Sequence, residues 1–402
     1  MADSSDKLER QSNLFLLLYA AAWAGGVIAY VPFLTVLLPA RVADIAGEAA
    51  VDWLALIAFV GAIAASLGNI GFGWLSDIAR TRRSFVALGL LLSCLLLVFS
   101  GPVEQLSTLL IVIALWQLSL NMMLGPLGAW AGDCVPDNQK GQLGGLLSVA
   151  PAIGASVGMF VTFPGIAAGE ARLWLVATIV VLFVLPILVV AKPGRFPRKM
   201  HSGAKDQLNN NIKRSISGAV PRMWFARLFI QIAEAALFAY VLLWFRSLSE
   251  TVSDNYTATV LGFVLIAGIP LAMVAGRWTD KNDRPIAPLT AGAAVVVVGL
   301  MLMALADNLT LALFGYIAFG VAGTIFLSLH TAQTLRVLPR PETRGRDLGI
   351  FNLTNTVPSL IMPWLAMAIV PIFGFSALFM LLAVLAALAF LILVTMPRKF
   401  VA

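Results

Sequence analysis

Twelve long apolar runs, parted by short polar stretches, make up most of this chain. They lie near 14–40, 52–75, 84–101, 107–131, 144–166, 172–191, 223–246, 256–276, 286–305, 309–335, 348–372 and 374–396. Their periodicity does not separate helix from strand, but their length does. About 20 residues suit a membrane-crossing helix, whereas barrel strands would be about ten residues long and alternating. The pattern predicts an all-α membrane protein of twelve transmembrane helices. The longest connection, 192–222, follows the sixth run and is basic and rich in Gly, Asn and Ser. It divides the chain into six-helix bundles at 1–191 and 223–402, and is expected to lie as a tether near an anionic inner leaflet.

One position interrupts the apolar pattern more deeply than any other. Glu234 sits inside the run 224–245, WFARLFIQIAEAALFAYVLLWF. At about 1.5 Å per residue it lies roughly 16 Å from the start of the run at Met223, near a bilayer's midplane. An ionised carboxylate is costly there, and its usual roles are proton relay, ion coupling or ligand binding. Every other Asp or Glu falls at a run's end or in a loop.

Composition removes the soluble alternatives. The chain has 402 residues, 60% of them hydrophobic and 12% charged, with a mean hydropathy of +0.92. A soluble domain carries about 25% charged residues. With the N-terminus inside, all but Arg41, Arg172 and Arg246 of the 27 Lys and Arg fall on the cytoplasmic side or at its helix ends. That is the positive-inside bias. An even number of spans returns the C-terminus to the same side. The net charge of +7 is then topological, and no nucleic-acid partner is expected. The reading is a multi-pass protein of the cytoplasmic (inner) membrane, monomeric in the lipid bilayer. Cys94 and Cys134, the two cysteines, suggest neither a disulfide framework nor a metal site.

Two loops repeat at the same place in each half. The first, GWLSDIARTRR, contains Gly73, Asp77, Arg80, Arg82 and Arg83; the second, GRWTDKNDR, contains Gly276, Asp280, Lys281 and Arg284. Each is Gly-x-x-x-Asp followed by basic residues. A parallel repeat of six-helix halves is the layout of major facilitator transporters, and these loops resemble that family's signature loop. The resemblance implies a cytoplasmic gate. Its glycines let helices approach, and its aspartates cap a neighbouring helix or pair with Arg across the halves.

Two further stretches resemble the glycoside–cation symporters and their sucrose-transporter relatives. One is NMMLGPLGAWAGDCVPDNQKGQLGG, with Asn121, Gly125, Pro126, Asp133, Pro136 and Gly141. The other is RDLGIFNLTNTVPSL, with Gly349, Asn352 and Pro358. The likeness implies a sugar or glycoside as substrate. Members of that group carry acidic residues in span one or two. Here 14–40 and 53–75 contain none, which moves any coupling charge to the second half.

Polar groups facing a central site recur as pairs inside apolar spans. Gln231 and Glu234 share a helix face, with Arg227 on roughly the same side towards the cytoplasm. Glu234 either forms a structural ion pair with Arg227 or, as preferred here, binds a proton in one state and releases it in another. His330 either relays protons or satisfies a neighbouring helix, and Gln333 lies one turn on. Gln117 with Asn121 and Asn352 with Asn355 complete the amide set, some of which serve only to join helices. Sugar faces stack on rings, so Trp23, Tyr30 and Tyr240 are candidate substrate contacts, against the alternative of interfacial anchoring.

The resulting expectation is a secondary active carrier of a small polar solute, coupled to the proton as its only cofactor. The alternative is proton-driven export of drug-like or metabolite molecules. No GxxxxGK[ST] loop supports an ATP-driven pump. No clustered nucleophile and base supports an enzyme, so no catalytic residue and no metal ligand is assigned.

Overall fold

The computed structural model describes residues 10–135, 137–191, 210–282, 284, 286–337 and 344–396. Every described element is helical. In chain order they are α1 (Asn13–Pro32), a π-helical turn (Phe33–Leu37), α2 (Leu38–Ala46), a 3-10 turn (Gly47–Ala49), α3 (Ala50–Ile78), α4 (Arg82–Phe99), α5 (Leu106–Cys134), α6 (Asp137–Leu147), α7 (Ala150–Thr162) and α8 (Ala171–Val189). There follow α9 (Asn210–Leu248), α10 (Asp254–Asn282), α11 (Ala287–Ala304), α12 (Leu309–Val337) and α13 (Arg344–Val394).

Among the described residues, ten helical stretches are long and apolar enough to cross a membrane. Two of them exceed a single crossing. Asn13–Ile78 runs for 66 residues and Leu353–Val394 for 42, about 99 and 63 Å if straight, against about 30 Å of hydrocarbon. The first covers the runs expected at 14–40 and 52–75, and is interrupted by Gly47 at φ 55°. The second covers those at 348–372 and 374–396, and is interrupted by Gly374 at φ 74°, ψ 178°. Both are left-handed positions that glycine alone adopts without strain. The expected run at 144–166 is also divided, because Ser148 and Val149 separate α6 from α7 and Pro151 opens the latter.

Residues 192–209 of the expected linker lie outside the described residues. The remainder of it, 210–222, is already helix, so α9 begins well before its apolar run.

The chain falls into two compact units. The first is Met1–Phe33 with Val60–His201; the second is Leu34–Phe59 with Ser202–Ala402. This differs from a clean division at the linker, because the segment Leu34–Phe59 groups with the second unit, where α2 packs against α9. The change falls at the π-helical turn after Pro32. Proline withdraws a backbone donor there, and a π-turn re-aims the helix beyond it.

In the first unit α1 packs on α7 and α8, and α4 packs on α5 and α8. Approach is close where side chains are missing: a Cβ at Gly25 would lie 2.6 Å from Val184 Cγ2 and 3.4 Å from the Val180 carbonyl oxygen. Tyr19 donates to the Leu127 carbonyl at 2.8 Å, beside Pro126. Gln11 and Gln139 exchange backbone and side-chain hydrogen bonds at 2.6 and 3.1 Å. These tie the start of α1 to α6.

In the second unit α11 packs on α12 and α13, α13 on α9, and α10 on α12. One close crossing sets glycine against glycine. A Cβ at Gly299 would lie 2.6 Å from the Phe319 nitrogen and 2.9 Å from the Gly315 carbonyl oxygen. Backbone atoms cannot swing aside, so Gly299→Ala is expected to destabilise by about 1–3 kcal/mol. Gly71, with nothing within 4 Å of its Cβ position, is expected to tolerate alanine or gain up to about 1 kcal/mol. Unfolding midpoints of the two purified variants in detergent check both.

Candidate functional site

Glu234 lies on α9 among Ala233, Ala235 and Ala236, small neighbours that let the helix pack closely. Its Oε1 is buried and has no hydrogen-bond partner among the described residues. The carboxyl abuts Gly323 of α12: a Cβ there would overlap Oε1 and lie 3.2 Å from Cδ. Tyr316, seven residues earlier on α12, lies within electrostatic reach of it. Glu234 makes no ion pair among the described residues. The alternative of a structural Glu234–Arg227 pair is therefore corrected.

Arg227 turns instead to α12 and α13. Its Nη1 makes a long 3.5 Å contact with His330 Nδ1, and its Nη2 donates to Asn355 Oδ1 at 3.3 Å. Gln231 Nε2 donates to the same Asn355 oxygen at 2.5 Å. His330 Nε2 lies 2.9 Å from the Met223 carbonyl. These partners assign the tautomer. A carbonyl can only accept, so Nε2 carries the proton; a guanidinium can only donate, so Nδ1 is the acceptor. His330 is fully buried, so the ring braces α12 against α9 while orienting Arg227. A second proton on it would face the guanidinium.

Two other buried polar atoms on these helices have no partner among the described residues: the Tyr240 hydroxyl and Gln333 Oε1. The Asn352 side chain, expected beside Asn355, lies outside the described residues.

In the first unit, Asn121 Nδ2 donates to the Gln117 carbonyl at 2.9 Å. Asn121 Oδ1 accepts from Asn69 Nδ2 at 3.3 Å. The Gln117 side chain faces Gly61, whose Cβ position is 3.4 Å from Cγ. Asn69 was not foreseen, although a lone amide within an apolar run is the same signal that identified Gln117 and Asn121. Trp23 points at Gly128, 3.8 Å from its Cβ position. Tyr30 is half-buried on the next turns of α1.

Among the loops, Arg82 is the organising residue. It bridges Asp77 and, at 3.0 Å, Asp133, while Nη1 donates to Ser76 Oγ at 2.6 Å and to the Gly73 carbonyl at 3.3 Å. One guanidinium thus joins the end of α3, the start of α4 and the end of α5. Asp77, expected to cap a helix or reach Arg in the other half, takes this partner within its own unit. Arg83 Nη2 donates to the Ala191 carbonyl at 3.2 Å. Arg80 holds a left-handed φ of 53°. In the second loop, the Cβ position of Gly276 is 3.6 Å from Leu329, and Lys281 and Arg284 are exposed. The Asp280 side chain lies outside the described residues.

Similarity to known proteins agrees with this architecture. The pattern of the Major Facilitator Superfamily matches residues 15–340 and 223–400. No curated protein matches the chain in sequence. Among solved structures, the chain is similar to a bacterial homolog of the human lysosomal transporter Spinster, crystallised inward-facing and unoccupied. The TM-score is 0.71 at 15% identity, over 95% of this chain and 97% of that one. It is also similar to the nucleoside transporter NupG, with a TM-score of 0.69 at 12% identity over 96% of this chain and 99% of that one. At such identities the likeness is one of fold. With family match and fold in agreement along nearly its whole length, the chain belongs to the major facilitator superfamily, a membrane transporter and not an enzyme.

Proposed function

We propose that the chain is a secondary active transporter that moves a small polar solute, a sugar or glycoside, by alternating access coupled to protons at Glu234. Twelve spans with both termini cytoplasmic, in an inner membrane, are the topology that goes with it. The observation that carries the reading is the Glu234 carboxyl, deep in α9, with one oxygen buried and no ion pair among the described residues. Such a group is neutral with its proton and charged without it. The two forms suit different surroundings, so proton binding is linked to what else fills or wets the site. A fixed ion pair would hold the charge and remove that link.

The solute class follows from the side chains available. Gln117, Asn121, Asn69, Gln231 and Asn355 supply amide donors and acceptors for hydroxyls, and Trp23, Tyr30 and Tyr240 supply rings. The motifs shared with glycoside–cation symporters point the same way. Nucleosides are themselves glycosides, and the similarity in fold to NupG brings them into the same class for testing. Arg227, held by His330 and Asn355, serves as a fixed positive charge beside Gln231. The Arg82 cluster keeps the cytoplasmic loop of the first unit in shape.

A thermal-shift screen of the purified protein against sugars, glycosides, nucleosides and cationic drugs, at two pH values, tests the class. A sugar, glycoside or nucleoside is expected to raise the midpoint by several degrees, by different amounts at the two pH values. Stabilisation by cationic drugs alone would replace this reading with proton-driven export. With the stabilising compound in proteoliposomes, Glu234→Gln is expected to abolish gradient-driven accumulation while sparing exchange. Undiminished accumulation by that variant would remove Glu234 from the coupling role.

Arg82→Lys keeps the charge but offers a single donor centre to four spread acceptors. A loss of about 1 kcal/mol in unfolding is expected, modest because both carboxylates are well exposed and screened. An unchanged midpoint would show that charge alone holds the loop.

A further inference from the structure

We propose that Gly323 is a positioning residue for Glu234: its missing side chain is the notch in α12 that receives the carboxyl. This rests on the reading of Glu234 as the proton-carrying group. Among the described residues beyond its own stretch of α12, the atoms within 4 Å of a Cβ placed at Gly323 are Glu234 Oε1 and Cδ. The other glycines of α12 have different neighbours. Gly315 meets Met303 and the Gly299 carbonyl of α11, and Gly320 meets Val264 of α10. Those positions let helices approach one another. Gly323 makes room for one side chain only, and it belongs to the residue whose Oε1 lacks a hydrogen-bond donor.

The consequence is that the carboxyl is held by shape where hydrogen bonds are absent. Lodged in the notch, Oε1 lies against the backbone of α12, a weak contact that gives way when α9 and α12 shift relative to each other. The other titratable side chains on the packed elements are Tyr316 and His330 on α12, Arg227 and Tyr240 on α9 itself, and Arg41 and Asp44 on α2, with Asp52 near Tyr240. Among the described side chains, α13 carries none, and α10 carries them only at its two ends. Filling the notch moves the carboxyl relative to all of these at once. Its affinity for the proton then changes although no charge has been added or removed.

The probe is the proton. Infrared titration of the purified, lipid-reconstituted protein follows the carbonyl stretch of protonated carboxyls, and the part absent in Glu234→Gln belongs to Glu234. Gly323→Ala is expected to move the midpoint of that part by about half a pH unit or more, a change of about threefold in proton affinity. Aspartate is shorter by one methylene and leaves the notch empty. In a Glu234→Asp background, adding Gly323→Ala is therefore expected to leave the midpoint where Glu234→Asp alone puts it. Such non-additivity is the signature of direct contact.

A midpoint unmoved by Gly323→Ala overturns the proposal, as does an equal shift with Glu234 intact and in the Glu234→Asp background. If Gly323→Ala fails to fold and the double variant folds, the shortened acid has relieved the overlap, which supports it. If both fail, the glycine serves helix packing whatever the acid, and the proposal falls. A Glu234→Gln spectrum identical to that of the unsubstituted protein is a different failure. It would mean that Glu234 does not titrate, and it would remove the proton-coupling reading itself.

Discussion

Hydrocarbon solvates an apolar helix surface about as well as another helix does, so hiding apolar side chains from the solvent cannot hold this structure together. What can is close approach of backbones, where dispersion is strongest and nothing intervenes. Gly299 against Gly315 and Gly25 against Val180 and Val184 are crossings of this kind. So is Gly68, whose Cβ position is 3.0 Å from the Leu118 carbonyl oxygen. The outside of the molecule reads accordingly: Leu182, Val189 and Phe373 are each about two-thirds exposed, which in water would be a fault and in lipid is the ordinary surface.

The same solvent disciplines the polar groups. A hydroxyl inside a span has no water to turn to, and here most bond back to their own helix. Ser66 donates to Ala62, Ser119 to Leu115, Thr162 to Gly158 and Thr324 to Gly320. These side chains are satisfied locally and free the helix faces for packing. Exceptions are therefore informative. Three of the buried polar atoms without a partner among the described residues, Glu234 Oε1, the Tyr240 hydroxyl and Gln333 Oε1, belong to α9 and α12. An unsatisfied polar atom costs about 1–3 kcal/mol.

Much of this was legible in the sequence because hydrocarbon enforces simple rules. Apolar length located the helices, and a lone acid in an apolar run stood out at Glu234. The repeated Gly-x-x-x-Asp loops carried the family. What was not legible depends on which helix lies beside which. The sequence placed Arg227 on roughly the same side as Glu234, but its partners come from positions about a hundred residues away, His330 and Asn355. The grouping of Leu34–Phe59 with the second unit begins at the turn after Pro32, and a proline does not say which helices the chain joins beyond it. Gly323 looked like any other glycine of a membrane helix; only the side chain facing it gives it meaning. Asn69 was legible, a lone amide in an apolar run.

The spacing of Arg227 and Glu234 bears on how a buried acid stays usable. Seven residues on one helix separate them, a rise of about 10 Å. The arginine makes its contacts with His330 and Asn355 and not with the carboxyl. Direct contact would require Arg227 to leave His330 and Asn355, and would then fix the carboxylate in its charged form, since breaking a buried pair costs about 3–5 kcal/mol. Holding the guanidinium by neutral groups on α12 and α13 keeps the two apart. On the proposed reading, an acid without a fixed partner is one whose charge a proton, or a small movement of α12, can decide.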